Sequence, residues 1–222
     1  MIFGAAALSA VVSTQAYAKQ DSQLWATQVI SLKLGNKWRL QEELVERFSD
    51  SRKGLYEIEA NTLIGYKFDK STTVWAGYTH DPLYSAGHFT AMEHRVREQA
   101  TFDNVARLGA GRLSFRLRGE ERWRSNASGT GWRLRPYIKY SLPLAKGSKT
   151  NLVLSSEPFI NLNTTTFQRH AGLDRMRNLV AINTPVSKKV TAEFGYMNQH
   201  IFVRSGEDES DNIAWFSLGV NL

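Results

Sequence analysis

Hydrophobic and polar side chains alternate with a period of two along most of the chain. In residues 133–142, for example, Leu134, Ile138, Tyr140 and Leu142 alternate with arginine, tyrosine and lysine side chains. Period two is typical of β-strands with one apolar and one polar face, because successive side chains point to opposite sides of a strand. No stretch has a convincing helical period, so the chain is predicted to be all-β. The candidate strands span residues 24–34, 37–48, 55–68, 71–80, 89–102, 110–124, 131–143, 150–162, 172–184, 188–203 and 212–222.

Short and long connections alternate between these strands. The short ones contain turn-forming residues at 35–36, 69–70, 103–104, 146–148 and 187–188. The long ones are polar and cover residues 49–54, 81–88, 125–130, 163–171 and 204–211. This alternation is typical of an up-and-down transmembrane β-barrel, whose periplasmic turns are short and whose extracellular loops are longer. Strand lengths of about 10–14 residues also suit a tilted membrane crossing better than a soluble sheet.

The strand count predicts an antiparallel barrel of 10–12 strands, with twelve favoured. Eleven candidates are visible, but a single-chain bacterial barrel normally has an even number of strands. The last strand alternates up to the terminal Leu222. That ending is a weaker form of the C-terminal strand signal, usually Phe or Trp, that the barrel assembly machinery reads, and this machinery is therefore an expected partner.

The first eighteen residues are predicted to be a secretory signal peptide. An apolar stretch runs from Met1 to Val12, a polar bridge follows, and Ala16-Tyr17-Ala18 has the small-x-small form of a cleavage site. The usual lysine or arginine before the apolar core is absent. The mature chain, residues 19–222, is expected to be a single exported domain without linkers or low-complexity tracts.

Composition narrows the possibilities further. The chain has 28 basic and 21 acidic side chains, a net charge of +7, 42% hydrophobic residues and no cysteine. Ordinary hydrophobic content argues against disorder, and no apolar run reaches the roughly 20 residues of a membrane helix. Without cysteine, a disulfide framework, a zinc–thiolate site and a cysteine nucleophile are excluded. We expect no nucleic-acid partner, because the arginines are interleaved with glutamates instead of forming one basic patch.

The polar faces of the strands are dense in opposite charges. In a membrane barrel the polar face lines the lumen, where arginine and glutamate can pair and cross-link the strands from within. A solvated outer sheet face is the alternative. The residues predicted to form a pore lining or lumen network are Glu93, Arg95, Arg97, Gln99, Arg116, Arg118, Glu120, Arg122, Arg133, Arg135, Lys139, Glu157, Arg175, Arg177 and Glu193.

Four carboxylates do not fit this division into faces. Glu42, Glu46, Glu98 and Glu121 share strand faces with apolar side chains. Since a carboxylate in the middle of a bilayer is costly, bulges or positions near the rim are expected there.

Several runs resemble a known family. They include Glu93 to Gln99, Arg112 to Arg122, Trp132 to Arg135, Leu154 to Asn161 with Glu157-Pro158-Phe159, Arg175 to Asn178 and Glu193 to Tyr196. In order and content they resemble the domain-of-unknown-function 2490 family of proteobacterial outer-membrane barrel proteins, over most of the mature chain. The resemblance implies the barrel fold and an outer-membrane location, and it implies no activity.

Candidate catalytic groups are few, so an enzyme is not expected. His80 with Asp81, His88, His170 and His200 are placed near the extracellular rim by counting strands back from a periplasmic C-terminus. A rim His–Asp pair could activate water as in an outer-membrane hydrolase, which is kept as a remote alternative. The histidine spacing matches no metal signature, and no cofactor is expected.

Two functions remain open from the sequence. The first is a narrow pore for small solutes, with an anion preference set by the basic lining. The second is a sealed structural or surface-binding barrel of the envelope, since about eight strands give a filled barrel and sixteen an open channel. Outer-membrane lipid and lipopolysaccharide are the expected partners. Binding of lipopolysaccharide phosphates or other anionic glycans by extracellular basic loops is kept as an alternative.

Overall fold

A computed structural model describes residues 19–222, in which eleven β-strands close into one barrel. The predicted signal peptide, residues 1–18, lies outside the described residues. The strands are β1 (Lys19–Lys33), β2 (Trp38–Ser49), β3 (Gly54–Lys67), β4 (Thr72–Ser85), β5 (His88–Leu108), β6 (Gly111–Arg124), β7 (Gly131–Pro143), β8 (Asn151–Asn161), β9 (Gly172–Pro185), β10 (Val190–Ile201) and β11 (Glu209–Asn221). The all-β prediction is confirmed.

Among residues 19–222 there is no helix long and apolar enough to span a membrane.

Each strand pairs with the next in an antiparallel ladder, and the barrel closes through β1 and β11, which run parallel. The parallel register extends from Lys19 opposite Glu209 to Ser31 opposite Asn221. One parallel seam is what an odd strand number requires, since an up-and-down barrel with an odd count brings its first and last strands together in the same direction. The strand number thus falls within the predicted 10–12. The favoured twelve is one too many, and the expectation of antiparallel pairing fails at this seam.

One predicted long loop is a tight turn. β4 continues to Ser85 and β5 begins at His88, so the stretch predicted as a loop at 81–88 is mostly strand. The two connecting residues, Ala86 and Gly87, have φ values of 50° and 78°. Two consecutive positive φ values are the geometry of a type I′ hairpin turn, whose twist matches that of the flanking strands.

A predicted turn at 103–104 lies inside a strand. β5 continues to Leu108, and its pairing with β6 shifts between Phe102 and Ala106. Asn104 adopts a φ of 53° in this irregular segment. A bulge of this kind accommodates extra residues in one strand without ending the ladder. The turn therefore comes later, at residues 109–110.

The inner and outer faces of the barrel are inverted relative to a soluble β-protein. Apolar side chains point outward and are more than a third exposed on all eleven strands: Ile30, Trp38, Ile64, Val74, Val96, Leu117, Ile138, Leu154, Val180, Phe194 and Phe216. The inward positions hold most of the buried polar and charged residues, among them Asn61, Glu93, Arg97 and Glu120. The polar face therefore lines the interior.

The connections divide the barrel into two ends. The long-loop rim carries the connections at 50–53, 86–87, 125–130, 162–171 and 202–208, together with the start of β1. The short-turn rim carries those at 34–37, 68–71, 109–110, 144–150 and 186–189, together with the end of β11.

The turn between β3 and β4 gives a pH-dependent contribution to stability. The Asp69 carboxylate accepts hydrogen bonds from the Ser71 and Thr72 backbone N–H groups at 2.7 and 2.8 Å and from the Ser71 hydroxyl at 3.0 Å. The backbone bonds in particular lower the pKa of Asp69 from 3.8 to about 2. A lowered folded-state pKa stabilises the fold above the unfolded value, and this contribution is lost as the pH falls from about 4 towards 2.

We expect Asp69→Asn to remove this contribution, because the neutral amide does not titrate. Thermal unfolding in detergent between pH 2 and 5 measures it: the stability difference from wild type should shrink as the pH falls. Asp103→Asn is the matched control, because the Asp103 side chain makes no hydrogen bond to residues 19–222. Parallel pH profiles for wild type and Asp69→Asn would contradict the prediction.

Candidate functional site

All fifteen residues of the predicted lumen network lie on the inner wall of the barrel. Four are on β5, four on β6, three on β7 and the rest on β8, β9 and β10. Each shares its face with buried neighbours, as Arg133 and Arg135 do on β7. The structure brings most of them together in two ion-pair clusters.

The first network centres on Arg95 of β5, and we call it the Arg95 cluster. The Arg95 guanidinium lies 2.6 Å from Glu93, 3.0 Å from Glu59 and 3.3 Å from Glu57, and it also contacts Asp81. Three more arginines bind carboxylates of this set from neighbouring strands: Arg47, Arg122 and Arg124. Four arginines and four carboxylates balance in formal charge, and they tie β2, β3, β4, β5 and β6 together from inside.

The second network centres on Glu120 of β6, and we call it the Glu120 cluster. Glu120 accepts from Nε and Nη2 of Arg133 at 2.8 and 2.5 Å and from Arg135 at 2.6 Å. Arg135 also donates to Glu157 at 3.0 Å. Two further arginines complete the cluster: Arg118, 3.7 Å from Glu120, and Arg116, which contacts Glu157. Four arginines thus face two carboxylates, and the cluster has an excess of positive charge.

The remaining predicted residues make other contacts. Arg97 pairs with Glu43 at 3.0 Å, and Gln99 accepts from Arg118 at 2.9 Å. Glu193 accepts from Trp215 Nε1 and Asn183 at 3.2 Å each. Of the other three, Lys139 makes no ion pair within residues 19–222, Arg175 pairs with its neighbour Asp174, and Arg177 bonds to Gln199.

Five of the eight members of the Arg95 cluster were missed by the sequence interpretation, namely Arg47, Glu57, Glu59, Asp81 and Arg124. Residues 42–47 contain charges on both faces of β2, so alternation there does not mark an interior. Glu57 and Glu59 do alternate with Ile58 and Ala60, and this was a usable signal. Asp81 was assigned to a loop, although it is fully buried on β4.

The other side of the interior is apolar. Trp25, Val153, Leu179, Met197 and Ile213 pack together with Ala181, and Trp215 lies against this group. The Trp25 and Trp215 rings meet edge to face across the parallel seam, 6.4 Å between centroids. The barrel interior is therefore filled by charged pairs on β2 to β8 and by an apolar core near β1 and β8 to β11.

A cavity of about 510 Å³ opens at the long-loop rim, and we call it the vestibule. Twelve basic and six acidic side chains line it. It reaches inward as far as Trp25, Glu59, Arg95, Arg135 and Phe159, and none of its lining residues comes from the half of the barrel near the short turns. Its size lies within the roughly 300–1,000 Å³ typical of small-molecule sites.

The four outlying carboxylates do point outward. Glu42 accepts a hydrogen bond from the Thr62 hydroxyl at 2.7 Å. Glu98 and Glu121 flank a small groove of about 130 Å³ beside Trp132. Register shifts occur at Arg47/Phe48, Leu83/Tyr84, Phe102/Ala106 and Phe159/Ile160. The expectation was a bulge or a position near the rim. Glu46 lies next to the register shift at Arg47/Phe48, and Glu121 lies three residues before the end of β6 at the long-loop rim. Glu42 and Glu98 sit in regular ladders inside β2 and β5.

The histidines do not assemble a catalytic site with the predicted partners. His80 is exposed outside β4, whereas Asp81 points inward, so the two side chains lie on opposite faces of one strand. A different pair forms at the long-loop rim, where His200 Nε2 lies 2.9 Å from Asp208. The pKa of Asp208 is lowered, chiefly by the Val203 backbone N–H and then by His200. No cluster of three or more His, Asp or Glu side chains within residues 19–222 has the geometry of a metal site.

Comparison with known proteins identifies relatives. The family model "Protein of unknown function (DUF2490)" matches residues 22–210. An uncharacterized protein of Methylorubrum extorquens strain AM1 is 27% identical over 202 residues, covering 90% of this chain and 88% of that protein. No solved structure matches the chain. Since the family match covers most of the chain, the protein belongs to the DUF2490 family.

Proposed function

We propose that this protein is an outer-membrane β-barrel whose lumen is sealed and whose vestibule serves as a binding chamber at the outer surface. The first support is the inverted distribution of side chains, with an apolar exterior and a charged interior. Exposed apolar side chains on all eleven strands would promote aggregation in water, whereas hydrocarbon accommodates them.

The basic residues of the short-turn rim are a second observation that supports a membrane location. Each of the five short connections carries exposed or half-exposed basic side chains: Lys33, Lys37, Arg39, Lys67, Lys70, Arg107, Arg112, Lys146, Lys149, Lys188 and Lys189. The nearby acidic side chains are Asp69 and Asp103. A basic rim directly beside an apolar belt suits anionic lipid headgroups, each lysine or arginine near such a surface contributing about 1 kcal/mol.

The orientation follows from the connections. Outer-membrane barrels place their short turns in the periplasm and their longer loops outside, so the short-turn rim would lie in the periplasm. The long-loop rim and the vestibule then face outward, as does the His200–Asp208 pair. Lipopolysaccharide would meet the mixed charges of the long loops, and the phospholipid leaflet would meet the basic rim.

A sealed lumen is favoured over a pore by one observation. Every strand contributes an inward side chain that is less than a tenth exposed: Thr27, Val45, Asn61, Thr79, Arg97, Arg118, Arg135, Val153, Leu179, Met197 and Ile213. A continuous water channel would leave some of these inner-wall residues accessible. An arginine-lined pore with an anion preference was the first function suggested by the sequence, and it requires an opening past these buried side chains.

Ion conductance in a planar bilayer tests the proposal. We expect the refolded protein to conduct no ions, because buried inward side chains from every strand fill the lumen. Insertion must be shown first: the protein should float with phospholipid vesicles and should stay with them after carbonate extraction. Failure to insert would contradict the membrane setting. Discrete current steps from inserted protein would instead contradict the seal and support the anion-selective pore.

A further inference from the structure

Arg177 is a cation in the vestibule wall that the ion-pair clusters leave out. Its guanidinium carbon lies 4.5 Å from the centre of the Trp25 ring and 4.4 Å from that of Phe159, and both rings are 1% exposed. Its Nε donates to Gln199 at 2.8 Å. Within residues 19–222 no carboxylate pairs with Arg177, and its two terminal nitrogens donate to no protein acceptor. Guanidinium groups in a barrel interior are normally paired, so this exception calls for a partner.

Gln199 and Asp211 fix the orientation of the Arg177 side chain. Gln199 accepts from Arg177 through its oxygen and donates through its amide nitrogen to Asp211 at 2.6 Å. Gln199 and Asp211 are 4% and 5% exposed. The two aromatic rings hold the plane of the guanidinium, and the amide holds its Nε edge. The Nη1–Nη2 side is therefore a preorganised pair of donors, and preorganisation lowers the entropy cost of binding.

The charges around Arg177 favour an anion. Arg47 lies 4.3 Å from the centre of the same Trp25 ring, and Arg135 lies 4.0 Å from that of Phe159. The carboxylates near this part of the vestibule already have partners. Glu57 and Glu59 bind arginines of the Arg95 cluster, and Asp174 binds Arg175 at 2.6 Å. Glu157, opposite Arg177 on β8, binds Arg135, and Asp211 accepts from Gln199. The neighbourhood of Arg177 is left with an excess of positive charge in a partly desolvated cavity, where such charge attracts anions more strongly than in water.

We propose that Arg177 anchors a binding site for a small anionic molecule, which presents a phosphate or carboxylate group to the guanidinium. Two oxygens of such a group accept from Nη1 and Nη2 in the bidentate arrangement that arginine favours. The vestibule has room for a molecule of metabolite size around that group. The site rests on the part of the proposed function that makes the vestibule a binding chamber, and not on the membrane setting or on the seal.

Isothermal titration calorimetry on the refolded protein at low ionic strength tests the site. The probes are inorganic phosphate and succinate, which separate phosphate from carboxylate recognition. We expect at least one probe to bind, and Arg177→Gln to weaken binding at least tenfold. Arg177→Lys should also bind the probe weakly, because lysine keeps the positive charge but lacks the paired donors Nη1 and Nη2. Arg112→Gln, at the exposed short-turn rim, is the matched control and should bind as wild type does. The proposal is overturned if neither probe binds, or if Arg177→Gln binds a probe as tightly as wild type does.

Thermal unfolding distinguishes a binding role from a structural one. A binding arginine held among like charges should cost stability in the empty protein, so Arg177→Gln should unfold about 2–4 °C higher, the shift that about 1 kcal/mol produces in a domain of this size. The bound probe should raise the unfolding temperature of wild type but not of Arg177→Gln. If Arg177→Gln lowers the unfolding temperature and keeps the probe-induced rise, Arg177 is structural and the proposal fails.

Discussion

Replacing Glu120 with glutamine is expected to destabilise the barrel by about 3–5 kcal/mol, the usual cost of breaking a buried ion pair from one side. Glu120 accepts from Arg133 through two nitrogens and from Arg135 through one, and its side chain is fully buried. The amide is nearly isosteric, so the change removes charge without creating a cavity. Four arginines of the Glu120 cluster would then face Glu157 alone.

The adjacent residue provides the control. Glu121 lies next in the chain but points outward, beside Trp132 and Glu98. Glu121→Gln removes the same charge from the same strand, and we expect a change within about 0.5 kcal/mol, as for most surface substitutions. Urea unfolding of the refolded protein in detergent measures both.

A second substitution tests the reason for the loss. Adding Arg133→Gln to Glu120→Gln removes one of the stranded arginines, so the double variant should lose less stability than the two single changes predict together. Equal effects of Glu120→Gln and Glu121→Gln would show that the cluster does not stabilise the fold.

The barrel and its inverted faces were predictable because alternation is a local property. On β6, Arg116, Arg118 and Glu120 occupy one face and Phe115 and Leu117 the other, and the chain itself fixes that division. Period two requires no knowledge of the neighbouring strands. Alternation alone cannot show which face of the strand points into the barrel. The density of opposite charges on the polar faces indicated that those faces line the interior.

The parallel seam was not predictable in the same way. A closed barrel in which all neighbouring strands are antiparallel needs an even number of strands, and this is the normal case. Nothing in residues 19–31 indicates that they pair in parallel with β11. The register there places Trp25 beside Trp215, and it is recognisable only once both strands are placed. Barrel closure depends on how the two edge strands, β1 and β11, meet in the folded protein, whereas alternation is a property of each strand alone.

The error at residues 81–88 has a similar origin. His80-Asp81-Pro82 has the composition of a loop, and proline cannot donate to a ladder. The structure tolerates Pro82 because the β3–β4 pairing is interrupted there, between His80 and Leu83. Asp81 is consequently buried against Arg95 instead of lying in solvent.

The vestibule could be anticipated only in part. The sequence indicates that Arg175 and Arg177 line the interior, but not that Arg175 is neutralised by Asp174 and Arg177 by no residue between 19 and 222. Partner choice depends on the barrel diameter and on the stagger between strands, neither of which leaves a mark in the sequence.

The second large effect is expected at Gly195 on β10. A Cβ added there would overlap the Val180 backbone carbonyl and come within 2.5 Å of Ala181 Cα and 2.6 Å of Ala181 Cβ. Backbone atoms cannot rotate away, so Gly195→Ala must push β9 and β10 apart beside the apolar core. Overpacking of a core costs about 1–3 kcal/mol, and this contact involves main chain on the opposing strand, so we expect the upper part of that range or more.

Gly119 on β6 is the matched control for this substitution. It is also a strand glycine, but a Cβ added there meets nothing within 4 Å. Gly119→Ala should leave stability unchanged or raise it by up to about 1 kcal/mol, because alanine restricts the unfolded chain. Urea unfolding and electrophoretic heat-modifiability of both variants measure the difference. If both alanines are tolerated equally, β9 and β10 do not approach as closely as the structure has them. If Gly195→Ala alone is destabilised, the close approach between β9 and β10 is real and glycine at position 195 is what permits it.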